Sequence, residues 1–296
     1  MRNILFRSDS SSLVGTGHIM RDLVLAKQYK NSSIIFATQN LAGNINHKIE
    51  ESGYNVNILK TNDIKEVINL IKELNIDLIV IDNYSIDFKY EKKLKEKTGV
   101  KILSFDDTYE KHHCDIILNH NIYGDLKKYK DLVPKNCKVR CGLAYTLLRE
   151  EFYSTKKRKK EKKKKTIFLA MGGSDSSNIN ISVLKVLKKY NNIKVNVVTT
   201  TANKYLKKLQ KYSRNKPWIN LHINSTEIAK LMNKSDLAIV TPSVTLNEIY
   251  YMKIKFIAIK TAANQKYMYN FVKKEKQAIL KQFNKNKLEK LLTKVL

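Results

Sequence analysis

The 296 residues contain only three cysteines, Cys114, Cys137 and Cys141. An odd, sparse set in a long chain fits reduced thiols and argues against a disulfide framework. Nor is there an uninterrupted apolar run long enough to cross a bilayer, and the first apolar stretch is broken by Arg7 and Asp9 too early for a signal peptide. A cytoplasmic chain with no membrane insertion is therefore expected. No Gly-x-Ser-x-Gly elbow, Walker loop or His-Glu-x-x-His is present, so the hydrolase, ATPase and zinc-protease signatures are missing. Acidic residues are scarce too: 27 against 56 lysines and arginines, for a net charge of +29.

Such a charge invites a nucleic-acid reading, because neutralising phosphates drives that kind of binding. The lysines, however, are scattered among asparagine and isoleucine, as in residues 185–192, in the manner of an AT-rich genome. A recognition surface gathers its cations in a stripe with aromatic or arginine partners. No nucleic-acid partner is expected, and a basic nucleic-acid-binding protein is kept only as a rival of another class.

What is present is a repeated grammar of short apolar strands and helical patterns. Strand-like runs fall at 4–6, 33–37, 78–81, 101–105 and 116–118, and again at 166–170, 195–198, 237–240 and 256–259, with helices between and a terminal helix carrying Leu288, Leu291, Leu292 and Val295. Nearly continuous apolar strands alternating with helices imply parallel sheets covered on both faces. The densest charge run, 156–165, holds nine cations and one anion and marks a boundary. The expected division is 1–153, a lysine-rich linker 154–165, and 166–296. Ligand loops are then expected at the carboxyl ends of the strands, in a cleft between the two domains.

Three segments carry candidate chemistry. After the first strand, Gly15-Thr16-Gly17-His18 leads into a helical pattern. Glycine admits close approach of a ligand to the backbone, and a helix N-terminus offers unpaired amides to anions. His18 is thus a candidate catalytic group, with capping or packing as the alternative. The third glycine of a dinucleotide fingerprint is missing, Met20 standing at that position. The second half opens on Gly172-Gly173-Ser174, whose amides and hydroxyl could hold a diphosphate, followed by a helix from about Asn178. Farther on, Ser243 stands at an N-cap position and Glu248 in the next turn, where a carboxylate can accept from a ribose diol or simply face solvent. Asn264-Gln265 adds amides at the neighbouring strand end.

In the first half, Asp82-Asn83-Tyr84 and Asp106-Asp107 also end strands. Tyr84 could orient a water or a leaving oxygen, or pack; the adjacent acids are a poor metal site and suit hydrogen bonding. His112-His113-Cys114 with Cys137 and Cys141 lacks the ligand spacing of a zinc site. No metal and no cofactor are expected.

Residues Phe6 to Ser12, Gly15-x-Gly17-His18-Ile19-x-Arg21-Asp22-Leu23, Leu103 to Asp107, His112 to Asp115, Arg140-Cys141-Gly142 and Arg149 to Tyr153 resemble the UDP-sugar hydrolase family of pseudaminic acid biosynthesis. That family is similar in fold to the peptidoglycan N-acetylglucosaminyltransferase. The resemblance implies an α/β chain of two Rossmann-like domains with parallel sheets facing across a cleft, the GT-B type, with UDP held mainly by the C-terminal domain. It implies hydrolysis of UDP-2,4-diacetamido-2,4,6-trideoxy-β-L-altropyranose to UDP and the free sugar, without metal. His18 matches the histidine that activates water and Tyr84 the active-site tyrosine. Glu248 would hold the ribose, Gly173, Ser174 and Ser243 would surround the diphosphate, and Asp9, Gly17, Arg149, Asn247 and Asn264 would contact substrate.

The chemistry is reasonable on general grounds. A free imidazole, with a pKa of about 6.5, is partly neutral near pH 7 and can take a proton from attacking water. Direct displacement by that water inverts the anomeric carbon. The nearest rival is a GT-B glycosyltransferase that passes the sugar to an acceptor. The expected partner is the small-molecule UDP-sugar alone, bound by a monomer.

Overall fold

The computed structural model describes residues 1–155 and 164–296. Most of the lysine block within the expected 154–165 linker thus lies outside the described residues. The chain divides into two compact units, Met1–Leu147 and Leu148–Leu296.

The first unit is a seven-stranded sheet. Its strands are β1 (Arg2–Ser8), β2 (Ser32–Gln39), β3 (Asn55–Leu59), β4 (Leu78–Asp82), β5 (Lys101–Phe105), β6 (Ile116–Asn119) and β7 (Lys138–Cys141), in the order β3-β2-β1-β4-β5-β6-β7. All neighbours run parallel. The helices are α1 (Gly17–Ala26), α2 (Asn46–Glu51), α3 (Ile64–Glu73) and α4 (Phe88–Thr98). Alternation along β1 explains the two covered faces. Ile4 and Phe6 join Ile19 and Leu23 of α1 on one side, while Leu5 joins Val67 and Ile71 of α3 on the other. Asp63 caps α3 by accepting from the Lys65 amide at 2.9 Å, and Gly99, at φ 67°, ends α4.

The second unit opens with α5 (Glu150–Ser154). It continues through β8 (Lys165–Ala170), α6 (Asn180–Leu187), β9 (Ile193–Thr199), α7 (Leu206–Ser213), β10 (Ile219–Ile223) and α8 (Ile228–Asn233). Then come β11 (Leu237–Val240), α9 (Val244–Met252), β12 (Lys255–Ile259), α10 (Lys266–Lys274), β13 (Ile279–Leu280) and α11 (Lys285–Val295). Its six strands run parallel in the order β10-β9-β8-β11-β12-β13. The terminal helix belongs here, with Leu288 and Leu292 in this unit's core. So does α5, where the Ala229 amide donates to Glu151 Oε2 at 3.0 Å. Residues 148–153, assigned from sequence to the first domain, therefore stand in the second unit. Trp218, the sole tryptophan, packs partly buried against the same core.

Both sheets reverse strand order beside their first strand, between β1 and β4 and between β8 and β11. Loops leaving the carboxyl ends at such a point part in opposite directions and open a crevice, the usual ligand position in this architecture.

Candidate active site

In the first unit that crevice is built from the loop after β1 and the end of β4, where Ser8 and Asp82 are register partners. The polar loop folds back on itself. Gly15 N donates to Ser11 O at 2.8 Å, and Gly15 adopts φ 88°, which a side chain would strain. Helix α1 then starts at Gly17 behind Thr16, whose side chain makes no capping bond, so the positive end of the helix is open. A methyl added at Gly17 meets nothing within 4 Å. The fold does not itself demand glycine there.

His18 is buried, and its Nδ1 donates to Asp82 Oδ1 at 2.6 Å. Arg21, one turn later on the same helix, clamps Asp82 with Nε and Nη2 and reaches Asp107 Oδ2 with Nη1 at 3.1 Å. Its guanidinium lies 4.8 Å over the Phe105 ring. Burial opposes charge on Asp82, but Arg21 and then His18 outweigh it and hold the carboxyl well below the usual carboxylate range. Burial likewise opposes charge on Arg21, and Asp82 again outweighs it. With Asp82 ionised, the proton between the two groups rests on His18 Nδ1. The close Arg21 Nη2, 3.3 Å away, therefore cannot also donate there. A neutral His18 then presents the lone pair of Nε2, the atom a general base needs.

Tyr84 is exposed and sets its ring edge to face against His18, with centroids 4.8 Å apart at 87°. Its hydroxyl donates to Asp107 at 2.8 and 2.9 Å, so toward a water it can only accept. Partial desolvation and then the Asp107 charge raise this phenol above its ordinary range. His120, at the end of β6, completes the wall. Burial and then Arg21 push its imidazole down to about 3, so it stays neutral, accepting from Arg21 Nη1 at 3.5 Å.

Asp9 has a different surrounding. It is buried, and its carboxylate accepts from Arg7 Nη2 at 2.8 Å, the Gln39 amide at 2.7 Å and Asn83 Nδ2 at 2.8 Å. It ties the loops after β1, β2 and β4 together. The His112, Cys114 and Cys137 side chains have partners of their own. His112 Nδ1 bonds Glu91 at 2.8 Å, Cys114 and Cys137 sulfurs lie 3.7 Å apart, and no group of three metal-ligating side chains occurs among the described residues.

In the second unit, the turn after β8 is pinned at Gly173, whose carbonyl accepts from the Thr200 amide and from the Thr199 and Thr200 hydroxyls, each at 3.0 Å. Ser174 is exposed beside it. The Gly173 and Ser174 amides meet no acceptor among the described residues. Helix α6 begins at Asn180, two residues beyond the sequence expectation, because Asp175 turns back to accept from the Ile179 and Asn180 amides at 3.1 and 3.2 Å. That carboxylate already answers the positive end of α6. The N-terminus of α9 is different: Ser243 is its N-cap as expected, yet makes no side-chain capping bond, which leaves the end open to an anion.

Glu248, one turn into α9, is buried and accepts from Arg149 Nη2 at 2.9 Å; Arg149 Nη1 also meets Glu151 at 2.8 Å. Burial pushes the Glu248 carboxyl up to about 7, with Arg149 pulling it down and Glu151 up. Asn247 is buried in the same helix, whereas Asn264 is exposed after β12. There Gln265 Oε1 holds the loop through the Thr261 amide at 2.8 Å, and Ser177 Oγ reaches Thr261 O at 3.2 Å, joining the loops after β8 and β12.

The first unit thus brings together His18, Tyr84 and Gly17, and adds Asp82, Arg21, Asp107 and His120. Arg21 and His120 were not singled out from sequence, and Asp82 and Asp107 were not given these roles. The second unit brings together Arg149, Ser243, Asn247 and Glu248, with Gly173 and Ser174 after β8 and Asn264 after β12.

A family model described as Flavoprotein matches residues 155–250, about a third of the chain. Over 262 residues the chain is 46% identical to the UDP-2,4-diacetamido-2,4,6-trideoxy-beta-L-altropyranose hydrolase of Campylobacter jejuni subsp. jejuni serotype O:2, covering 88% of this chain and 93% of that protein. Among solved structures it is similar to MurG of Acinetobacter baumannii, with a TM-score of 0.68 and 12% identity over 99% of this chain and 90% of that one. It is also similar to the UDP-GlcNAc 2-epimerase of Neisseria meningitidis bound to UDP-GlcNAc, with a TM-score of 0.62 and 12% identity over 99% and 91%. At such identities these two speak for the fold, α/β with two parallel-sheet units of the GT-B type.

Proposed function

The chain belongs to the family of the UDP-2,4-diacetamido-2,4,6-trideoxy-β-L-altropyranose hydrolases, and on that premise we propose that it hydrolyses this UDP-sugar through water activated by His18. The reading is carried by one observation, the 2.6 Å bond that fixes His18 Nδ1 on Asp82 and leaves Nε2 as the base. A water at Nε2 attacks the anomeric carbon, its proton passes to His18, and the bond to the diphosphate oxygen breaks. The sugar leaves with inverted configuration and UDP as the other product. Asp82 stabilises the imidazolium that forms, as the carboxylate does in a serine-protease triad. Tyr84 holds the ring and can accept from the same water.

In the second unit the unpaired amides of Gly173 and Ser174, with Ser243 at the open end of α9, are the groups we assign to the diphosphate. Preorganised amides that meet charge as it develops on a leaving group lower the barrier without needing a metal. Glu248 is assigned to the ribose diol, with Arg149, Asn247 and Asn264 as further contacts. The proposal includes a monomeric cytoplasmic enzyme that takes no cofactor.

The test is to incubate the protein with the diacetamido-trideoxy-altrose nucleotide, with and without EDTA, and follow UDP and the sugar anomer by NMR. Equal UDP release in both samples and an inverted first-formed anomer are expected. No UDP release would overturn the activity, loss with EDTA the metal-free step, and a retained anomer the direct displacement. Appearance of a glycosylated acceptor in place of free sugar would identify a transferase.

A further inference from the structure

Asp22 lies in α1 one turn beyond His18 and is fully buried. Neither of its carboxyl oxygens makes a hydrogen bond of ordinary geometry among the described residues, nor does the Ser8 hydroxyl that approaches it and weakly favours the carboxylate. Ser8 and Asp82 are side by side across β1 and β4. The groups that act on Asp22 are Asp82 from β4, Ser8 from β1 and Arg21 from its own helix. An ionised carboxylate without donors is strongly unfavourable in such a place, and a second ionised carboxylate beside it makes matters worse. Asp82 is the one that keeps its charge, since Arg21 and His18 both bond to it.

We propose that Asp22 is a neutral carboxylic acid that donates a hydrogen bond to Asp82, and that this bond makes it a positioning residue for the Asp82–His18 pair. Burial and then the Asp82 charge do push the Asp22 carboxyl well above its ordinary range, against weaker pulls from Ser8 and Arg21. The proton stays on Asp22 throughout. Its task is to complete the set of donors around Asp82, so that the carboxylate keeps the orientation that fixes the His18 tautomer. Losing that donor leaves more charge on Asp82 to hold the His18 proton, so the base is blocked to a higher pH.

Two arms test this, and only the second rests on the proposed hydrolysis. Infrared difference spectra of the whole protein against Asp22→Asn at pH 7 are expected to show a carboxylic-acid C=O band in the wild type; its absence overturns the neutral acid. In the second arm, UDP release is measured across pH for wild type, Asp22→Asn and Asp22→Ala. The amide of Asp22→Asn can still donate to Asp82 and accept from Ser8, so its kcat is expected to stay within a few fold of wild type. Asp22→Ala is expected to lose tenfold or more in kcat with little change in KM, and its acidic limb should move to higher pH. Equal loss in both variants, or a wild-type profile in Asp22→Ala, overturns the positioning role. Should Asp22→Ala fail to fold, the infrared band and the Asp22→Asn profile still decide. If the wild type itself releases no UDP, the hydrolase reading fails while the infrared arm stands.

Discussion

At the scale of single residues, the Asp82 carboxylate collects donors from His18 and twice from Arg21. Asp82→Asn would keep the shape but reverse the tautomer, since an amide can donate to Nδ1. We expect kcat to fall by on the order of a hundred- to ten-thousandfold while UDP affinity, measured by calorimetry, changes little. His18→Ala is expected to behave alike, keeping UDP affinity within a few fold while turnover is lost; normal hydrolysis by that variant would remove His18 as the base. Glu248 gives a pH signature. Its carboxyl titrates at about 7 in the folded chain, above its unfolded value, so the folded state holds an extra proton between roughly pH 4.3 and 7. Stability from this group is therefore full below that window and is lost as pH rises through it, by up to about 4 kcal/mol. Urea unfolding at pH 5 and 7.5 should show a larger drop for wild type than for Glu248→Gln. The candidates His18, Tyr84 and Glu248 were legible because each follows a recognisable strand end. Arg21 was not, because its partners Asp82 and Asp107 are 61 and 86 residues away and no local pattern links them; the three-residue spacing from His18 on one helix face was the available signal.

At the scale of elements, two glycines separate what the fold needs from what a ligand needs. A methyl at Gly173 would lie 2.9 Å from Thr200 Cγ2, and threonine has little rotamer freedom to yield. Gly173→Ala is thus expected to cost about 1–3 kcal/mol, seen as a lowered melting temperature. Gly17→Ala enters open space at a helix start and should leave the melting temperature unchanged. If ligand lies against that backbone, kcat/KM falls nonetheless; unchanged kinetics would remove Gly17 from the site. The central strands were readable as apolar runs. The edge strands β3 and β10 were missed, since Asn55, Asn57, Asn220 and His222 interrupt their apolar pattern. An edge has only one paired side and tolerates polar residues that a buried strand does not.

At the scale of the whole chain, the lysine block suggested a boundary at 153, but the structure divides at Leu147–Leu148. Charge density marks solvation, whereas the boundary is set by burial: Phe152 and the Glu151 bond to Ala229 commit α5 to the second unit. The net charge of +29 leads to a separate expectation. Retention on a polyanion such as heparin should fall steeply with salt, while UDP release follows a different and shallower dependence. Matching salt profiles would favour the nucleic-acid rival.

The placement of Trp218 makes the chain its own two-channel reporter. Its emission reads the packing of the second unit's core alone, whereas far-ultraviolet circular dichroism averages the helices of both units. A ligand that binds only folded protein raises the midpoint of the part it holds. On the proposed assignment of UDP to the second unit, adding UDP should shift the fluorescence-detected melt upward by more than the dichroic one, and the gap between the two curves would measure how independently the halves unfold.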